Sequence, residues 1–147
     1  MSIRPHLLVV RAPFYQDIIA ELTRGATLAL DAAGATYDVI DVPGAFEIPG
    51  AIAMAEASLV KSYDGYVALG CVIRGETTHY DYVCGESARG LQELTFRDRL
   101  AIGFGVLTCE NDEQAWARAS VDRKNKGAEV AHAALRMIEL RREFGPA

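Results

Sequence analysis

His79 is the side chain in this chain best suited to proton chemistry. It stands in the stretch Gly70-Cys71-Val72-Ile73-Arg74-Gly75-Glu76-Thr77-Thr78-His79-Tyr80-Asp81. An imidazole, with an ordinary pKa of about 6.5, both takes and gives a proton near neutral pH. Tyr66-Val67-Ala68-Leu69, just upstream, is an apolar run that reads as a buried strand. Downstream, Tyr80, Val83, Ser87, Leu91 and Leu94 recur at helical spacing. A strand that ends in a Gly-bracketed loop and opens a helix aims backbone N–H groups at one point, an anion cradle. Thr78 with Asp81 three positions on fits a capping box, which places His79 in the first turn. The bland alternative is an ordinary strand-to-helix turn with a surface histidine.

Other side chains could serve the same site. Phe14 and Phe46 lie on loops, off the core periodicity, and could stack on a planar ring or simply close the ends of the core. Glu47 opens a helix, where a carboxylate suits the dipole and could also hold a ligand hydroxyl. Arg118, Arg123, Lys124 and Lys126 put four cations within nine positions of an acidic chain. They read either as a solvated face or as a phosphate clamp, Arg forked and Lys a point charge. Cys71 fits a small buried residue, with a catalytic thiolate as the sharper alternative. Gly-x-x-x-x-Gly-Lys-Ser/Thr, Gly-x-Gly-x-x-Gly and Gly-x-Ser-x-Gly are absent. His6 and His132 are far from His79, and no spaced carboxylate–histidine set suggests a metal.

The elements that must position these residues alternate. Strands are expected at His6–Arg11, Tyr37–Val42, Asp64–Cys71 and Leu100–Leu107. Helices are expected at Tyr15–Ala33, stopped by Gly34, and along Ile48, Ile52, Ala55 and Leu59. A third helix runs from Tyr80 to about Thr95, and a short one, Asn111–Ser120, has Asn111 as cap and Gln114 at the box position. The last spans about Asn125 to Arg142, with Val130, Ala134, Leu135 and Ile138 inward. Apolar strands alternating with amphipathic helices imply a four-stranded parallel sheet covered on both faces. The expected fold is α/β, a three-layer αβα sandwich of flavodoxin-like type, with residues 1–147 as one domain. Ligands of such a sheet bind beyond the carboxyl ends of its strands, which selects the loops carrying Phe14, Phe46 and His79 and the segment after Leu107.

Bulk composition narrows the classes. Of 147 residues half are hydrophobic and 24% charged, ordinary for a globular protein. A net charge of −5 argues against non-specific nucleic-acid binding. No apolar run approaches the roughly 18–20 residues of a membrane span, and Leu7–Val10, cut off by Arg11, is too short for a signal peptide. A cytoplasmic protein without nucleic-acid or membrane partners is expected. Cys71, Cys84 and Cys109 have no Cys-x-x-Cys spacing, so neither zinc nor a disulfide framework is suggested.

Four motifs then coincide: Val42-Pro43-Gly44-Ala45-Phe46-Glu47-Ile48-Pro49, the His79 stretch, Leu107-Thr108-Cys109-Glu110-Asn111, and Asn125-Lys126-Gly127. In this order they resemble the 6,7-dimethyl-8-ribityllumazine synthase family of riboflavin biosynthesis, over about Leu7 to Phe144. The resemblance implies a transferase that joins 5-amino-6-(D-ribitylamino)uracil to 3,4-dihydroxy-2-butanone 4-phosphate, with loss of water and phosphate. It implies no metal and no cofactor. By resemblance Phe14 stacks on the pyrimidine, and Phe104 lines the pocket from a neighbouring subunit. Ala45, Phe46 and Glu47 hold the ribityl chain, and Cys71, Val72 and Ile73 hold the heterocycle by backbone contacts. Glu76 and Thr77 mark the phosphate cradle, Arg118 clamps that phosphate with Lys126 nearby, and His79 moves the protons.

The family often has threonine where this chain has Cys71, which changes little for a backbone contact. Arg118–Gly127 lacks the glycine that often precedes Asn-Lys-Gly, and almost nothing precedes His6. Together these lean towards a homopentamer over a decamer or a sixty-subunit shell; the resemblance implies active sites at subunit interfaces and a functional link to riboflavin synthase. Rival readings are a non-catalytic flavin- or lumazine-binding module, a response-regulator-like domain, and a riboflavin synthase of the related archaeal kind. The first could dispense with His79 or Arg118. The second needs an aspartate where the third strand ends in Gly70-Cys71.

Overall fold

The structure, a computed structural model, describes residues 4–145. Residues 1–3, on which the expectation of a minimal N-terminal extension partly rests, lie outside the described residues, as do 146 and 147. In chain order the elements are β1 (His6–Arg11), α1 (Gln16–Ala32), β2 (Thr36–Asp41), a 3₁₀ turn (Ala45–Glu47) and α2 (Ile48–Glu56). They continue with β3 (Gly65–Ile73), α3 (His79–Arg97), β4 (Ile102–Cys109), α4 (Asp112–Ala119) and α5 (Lys126–Phe144). The strands form one four-stranded parallel sheet in the order β2-β1-β3-β4, with Leu7 opposite Gly65 and Tyr66 opposite Ile102. This is the flavodoxin-like arrangement expected from the alternating pattern. Among the described residues no helix is long and apolar enough to cross a membrane.

The period of two along each strand divides the core into two layers. Leu7, Val9, Val67, Leu69, Leu107 and Cys109 face α1, α4 and α5, where Leu22, Ala115 and Val130 meet them. Leu8, Val10, Tyr66, Ala68, Ile102 and Val106 face α2 and α3, against Ile48, Ile52, Val83 and Leu91. Because β1 and β3 are central they are apolar almost throughout, whereas β2, at the edge, leaves Val39 and Ile40 exposed. The layer of α1 and α5 is thin. A Cβ on Gly127 would collide with the backbone carbonyl of Leu22, and one on Gly103 with that of Val130, so both positions depend on glycine for close approach.

Local signals explain most boundaries. Gly34, at φ +75°, ends α1 in a Schellman motif: its N–H donates to Asp31 and that of Ala35 to Leu30. Asn111 caps α4 as expected, accepting from the Gln114 N–H at 2.9 Å, while the Gln114 side chain accepts from the Glu110 N–H. Asn125 enters α5 in the left-handed region, at φ +47°, which asparagine tolerates better than most residues.

Three expectations are corrected. The Thr78–Asp81 capping box does not form: the Thr78 backbone is already helical, at φ −74° and ψ −1°, and its side chain caps nothing. Leu59 is not on α2, which stops at Glu56, and its side chain is fully exposed. Ala33, expected as the last residue of the first helix, is its exposed C-cap. In addition, β3 and β4 each run two residues further than expected, to Ile73 and Cys109, so Cys109 lies within β4 rather than after it.

Candidate active site

The strand order reverses between β1 and β3: from β1 the chain goes outward to β2, then crosses back to β3 on the other side. Diverging loops at such a switch point leave a crevice beyond the carboxyl ends of the strands. A cavity of about 540 Å³ lies there. Ala12, Phe14 and Tyr15 after β1, Gly44, Ala45, Phe46 and Glu47 after β2, and Cys71, Val72 and Ile73 at the end of β3 line it. His79, Tyr82 and Val83 on the first turns of α3 complete the wall. Its size and mostly apolar lining with a few polar groups suit one small organic ligand.

Each loop residue is there for a local reason. β1 cannot extend as a full strand through Pro13, yet the Ala12 N–H still donates to the Leu69 carbonyl at 2.9 Å, so the chain is held against β3 until it turns. Phe14 then leaves the core, 74% exposed, with its ring edge-on to Tyr15 at 5.0 Å. Phe46, on the 3₁₀ turn, is 54% exposed. Neither ring closes the core, which removes the bland reading of both. The 3₁₀ turn also puts Glu47 on the cavity wall, immediately before α2.

The thiol of Cys71 is inert. Burial, then the neighbouring Cys109, pushes its pKa up to about 12, far from a thiolate at neutral pH. Burial also raises the Cys109 thiol, which Arg118 pulls the other way, placing that guanidinium's field at the end of β4. Burial raises the Tyr15 hydroxyl too. We therefore expect Cys71→Thr to keep kcat within about twofold and iodoacetamide to spare wild-type turnover, since the thiol is not a nucleophile. A collapse of turnover in that variant, with folding intact, would contradict this.

His79 is the first residue of α3 and its side chain is exposed into the cavity mouth. Its backbone N–H donates to the Thr77 hydroxyl at 3.3 Å. Glu76 and Thr77 sit on the exposed connection that leads into this turn and do not themselves line the cavity. Among the described residues no three His, Cys, Asp or Glu side chains come together as a metal site.

A family model described as 6,7-dimethyl-8-ribityllumazine synthase matches residues 4–142. The chain belongs to this family. A 6,7-dimethyl-8-ribityllumazine synthase of Bartonella tribocorum is 58% identical over 99% of this chain and 95% of its own length. Another, of Agrobacterium fabrum, is 57% identical over 97% and 98%. One of Sphingopyxis alaskensis is 53% identical over 95% and 97%. With near-complete coverage on both sides, the lumazine synthase likeness extends to every loop around the cavity.

Within one chain of this lumazine synthase family member, the residues singled out from the sequence do not all meet. Phe14, Ala45, Phe46, Glu47, Cys71, Val72, Ile73 and His79 share the cavity. Phe104 does not: it is 48% exposed on β4, in a separate depression with Leu91, Ile102 and Met137. Arg118 and Lys126 do not line the cavity either. Arg118 donates to the Gln114 carbonyl at 3.0 Å, and Lys126 pairs with Glu129 at 3.0 Å. Tyr15 lies in the loop after β1 that the sequence selects, though without an assigned role; Tyr82, one turn after His79, has no sequence signal that marks it as a wall residue.

Proposed function

We propose that this chain condenses 5-amino-6-(D-ribitylamino)uracil with 3,4-dihydroxy-2-butanone 4-phosphate to 6,7-dimethyl-8-ribityllumazine, releasing phosphate and water. The observation that carries the reading is an imidazole on the wall of a switch-point cavity, in a chain that matches this family almost end to end. The nucleophile is the substrate's own amine, so no enzyme side chain needs to form a covalent bond. What the protein supplies is orientation of two reactants and proton transfer.

Phe14 covers the pyrimidine, the backbone of Cys71, Val72 and Ile73 reads its edge, and Ala45, Phe46 and Glu47 hold the ribityl chain. His79 takes a proton as the amine attacks and returns one as water and phosphate depart. The backbone around Glu76 and Thr77 receives the phosphate. Arg118, with Lys126, balances its charge as it leaves. Among the described residues the cavity wall of a single chain contains no lysine or arginine, which supports a site completed by a second copy of the chain, bringing Phe104 and a phosphate cation to the open side. The exposed Phe104 on β4, with Val39 and Ile40 on the opposite edge strand, supports self-association of a one-domain protomer. A pentamer acting as a cytoplasmic enzyme, without metal, is the reading adopted; sedimentation giving five chains per particle would support the pentamer, and ten or sixty would replace it.

We expect Phe14→Ala to raise KM for the ribityl-pyrimidine about fivefold, the loss of roughly 1 kcal/mol of ring stacking, with kcat little changed. An unaltered KM would remove Phe14 from the ring site. The reaction assignment is tested by single-substrate supply. Given the lumazine alone, the protein should form no riboflavin; given the diaminouracil alone, it should bind and convert nothing. Riboflavin formed from lumazine would overturn the assignment in favour of the riboflavin synthase reading.

A further inference from the structure

We infer that Arg74 is a positioning residue for His79, holding the first turn of α3 against the end of β4; the inference rests on the synthase reading above. Arg74 is the first residue after β3, and its N–H still donates to the Cys109 carbonyl at 2.9 Å, so its backbone is fixed to β4. Its side chain reaches three partners. Nε donates to both carboxylate oxygens of Glu110 at 3.0 Å, Nη1 lies 3.5 Å from Asp81 Oδ1, and Cζ stands 4.3 Å above the Tyr80 ring. Tyr80 and Asp81 are the two residues that follow His79 in the first turn of the helix.

Val83 anchors the inner side of that turn in the core and Tyr80 also meets Cys84 and Thr108, while Asp81 at its exposed start is held by Arg74. Thr78 makes no side-chain cap, and the Asp81 carboxylate, which a capping box would have used, is turned to Arg74 instead. The tie also reaches beyond β4: Glu110 adjoins Asn111, whose side chain caps α4, the helix that carries Arg118. Single exposed ion pairs contribute little. A planar guanidinium that stacks on one ring while bridging two carboxylates fixes an orientation as well, which an ammonium cannot do. Arg74 does not line the cavity, so its influence on the reaction passes through the helix turn that presents His79.

The test compares wild type, Arg74→Gln, Arg74→Lys, His79→Ala and the double variant Arg74→Gln/His79→Ala, with kcat and KM determined separately. Amide hydrogen exchange over residues 78–83 is followed in parallel. A misplaced proton carrier should lower kcat in Arg74→Gln about tenfold, with KM for the butanone phosphate within about twofold. Exchange in the first turn of α3 should quicken while sheet amides stay protected. Arg74→Lys should remain slow. In the His79→Ala background Arg74→Gln should change kcat less than about twofold, because the residue it positions is gone. A tenfold loss that persists in that background, a rise in KM alone, or full recovery with Arg74→Lys would each overturn the inference. Absence of wild-type turnover would instead overturn the synthase reading, and the inference with it.

Discussion

His79→Ala is expected to lower kcat by about a hundredfold, the low end of what a positioned proton carrier supplies, and to leave KM for both substrates nearly unchanged. The expectation follows from what lines the cavity. Burial pushes the Cys71 thiol to about 12 and raises the Tyr15 hydroxyl, which puts both outside proton traffic near neutral pH. His79 also lines the cavity, and an imidazole is the kind of side chain suited to moving protons both ways, while the proposed function gives the Glu47 carboxylate to the ribityl chain. Turnover is not abolished, because holding the amine beside its carbonyl partner is itself a large part of the acceleration and does not need the imidazole. Loss confined to kcat would mean that the ring acts in the transition state. An equal rise in KM would make His79 a binding residue, and an unchanged kcat would remove it from the mechanism.

Gly127→Ala is the expected largest effect on stability, a loss of roughly 3 kcal/mol, the upper part of the range for overpacking a tight contact. The added Cβ would meet the Leu22 carbonyl, with the Ala26 nitrogen at 2.8 Å and the Leu22 carbonyl carbon at 3.1 Å. All three are backbone atoms of α1, so no side chain can swing aside. α5 would have to lift off α1, opening the layer in which Leu22, Val130 and Ala134 are buried. Gly85→Ala is the control: nothing lies within 4 Å of its Cβ position on α3, so stability should hold or rise by up to about 1 kcal/mol. Urea midpoints at matched protein concentration check both, since assembly makes apparent stability concentration-dependent. Equal midpoints for Gly127→Ala and wild type would mean that α1 and α5 are not packed as described.

Gly127 marks a limit of what the sequence alone makes legible. Asn125-Lys126-Gly127 was legible as a family motif, but its physical reason is a left-handed entry at Asn125 and a helix contact at Gly127, and both depend on α1, a hundred positions away. The doubly wound sheet was legible because β1 and β3 are buried on both faces and carry an uninterrupted apolar pattern. The cap of α4 was legible because Asn111 and Gln114 act within one turn. The cap of α3 was misread: Thr78 and Asp81 have the right spacing, yet Arg74, anchored to Glu110 thirty-six positions along, takes the carboxylate. Loop aromatics such as Phe14 and Phe46 could be named from the sequence, but only their exposure separates ring stacking from core closure. That Phe104 stands apart from the cavity of its own chain agrees with the neighbouring-subunit role the family resemblance implies, whereas the same separation of Arg118 and Lys126 has no sequence signature.

The most direct measurement is one incubation of the purified protein with the diaminouracil and the butanone phosphate, following lumazine fluorescence and inorganic phosphate together. A parallel sample without protein is needed, because some condensation occurs unaided. Lumazine and phosphate rising in equal amounts, well above that sample and far more slowly with His79→Ala, is the predicted result. Ligand binding with neither product formed above the unaided rate would contradict the account and leave a pocket kept for binding alone.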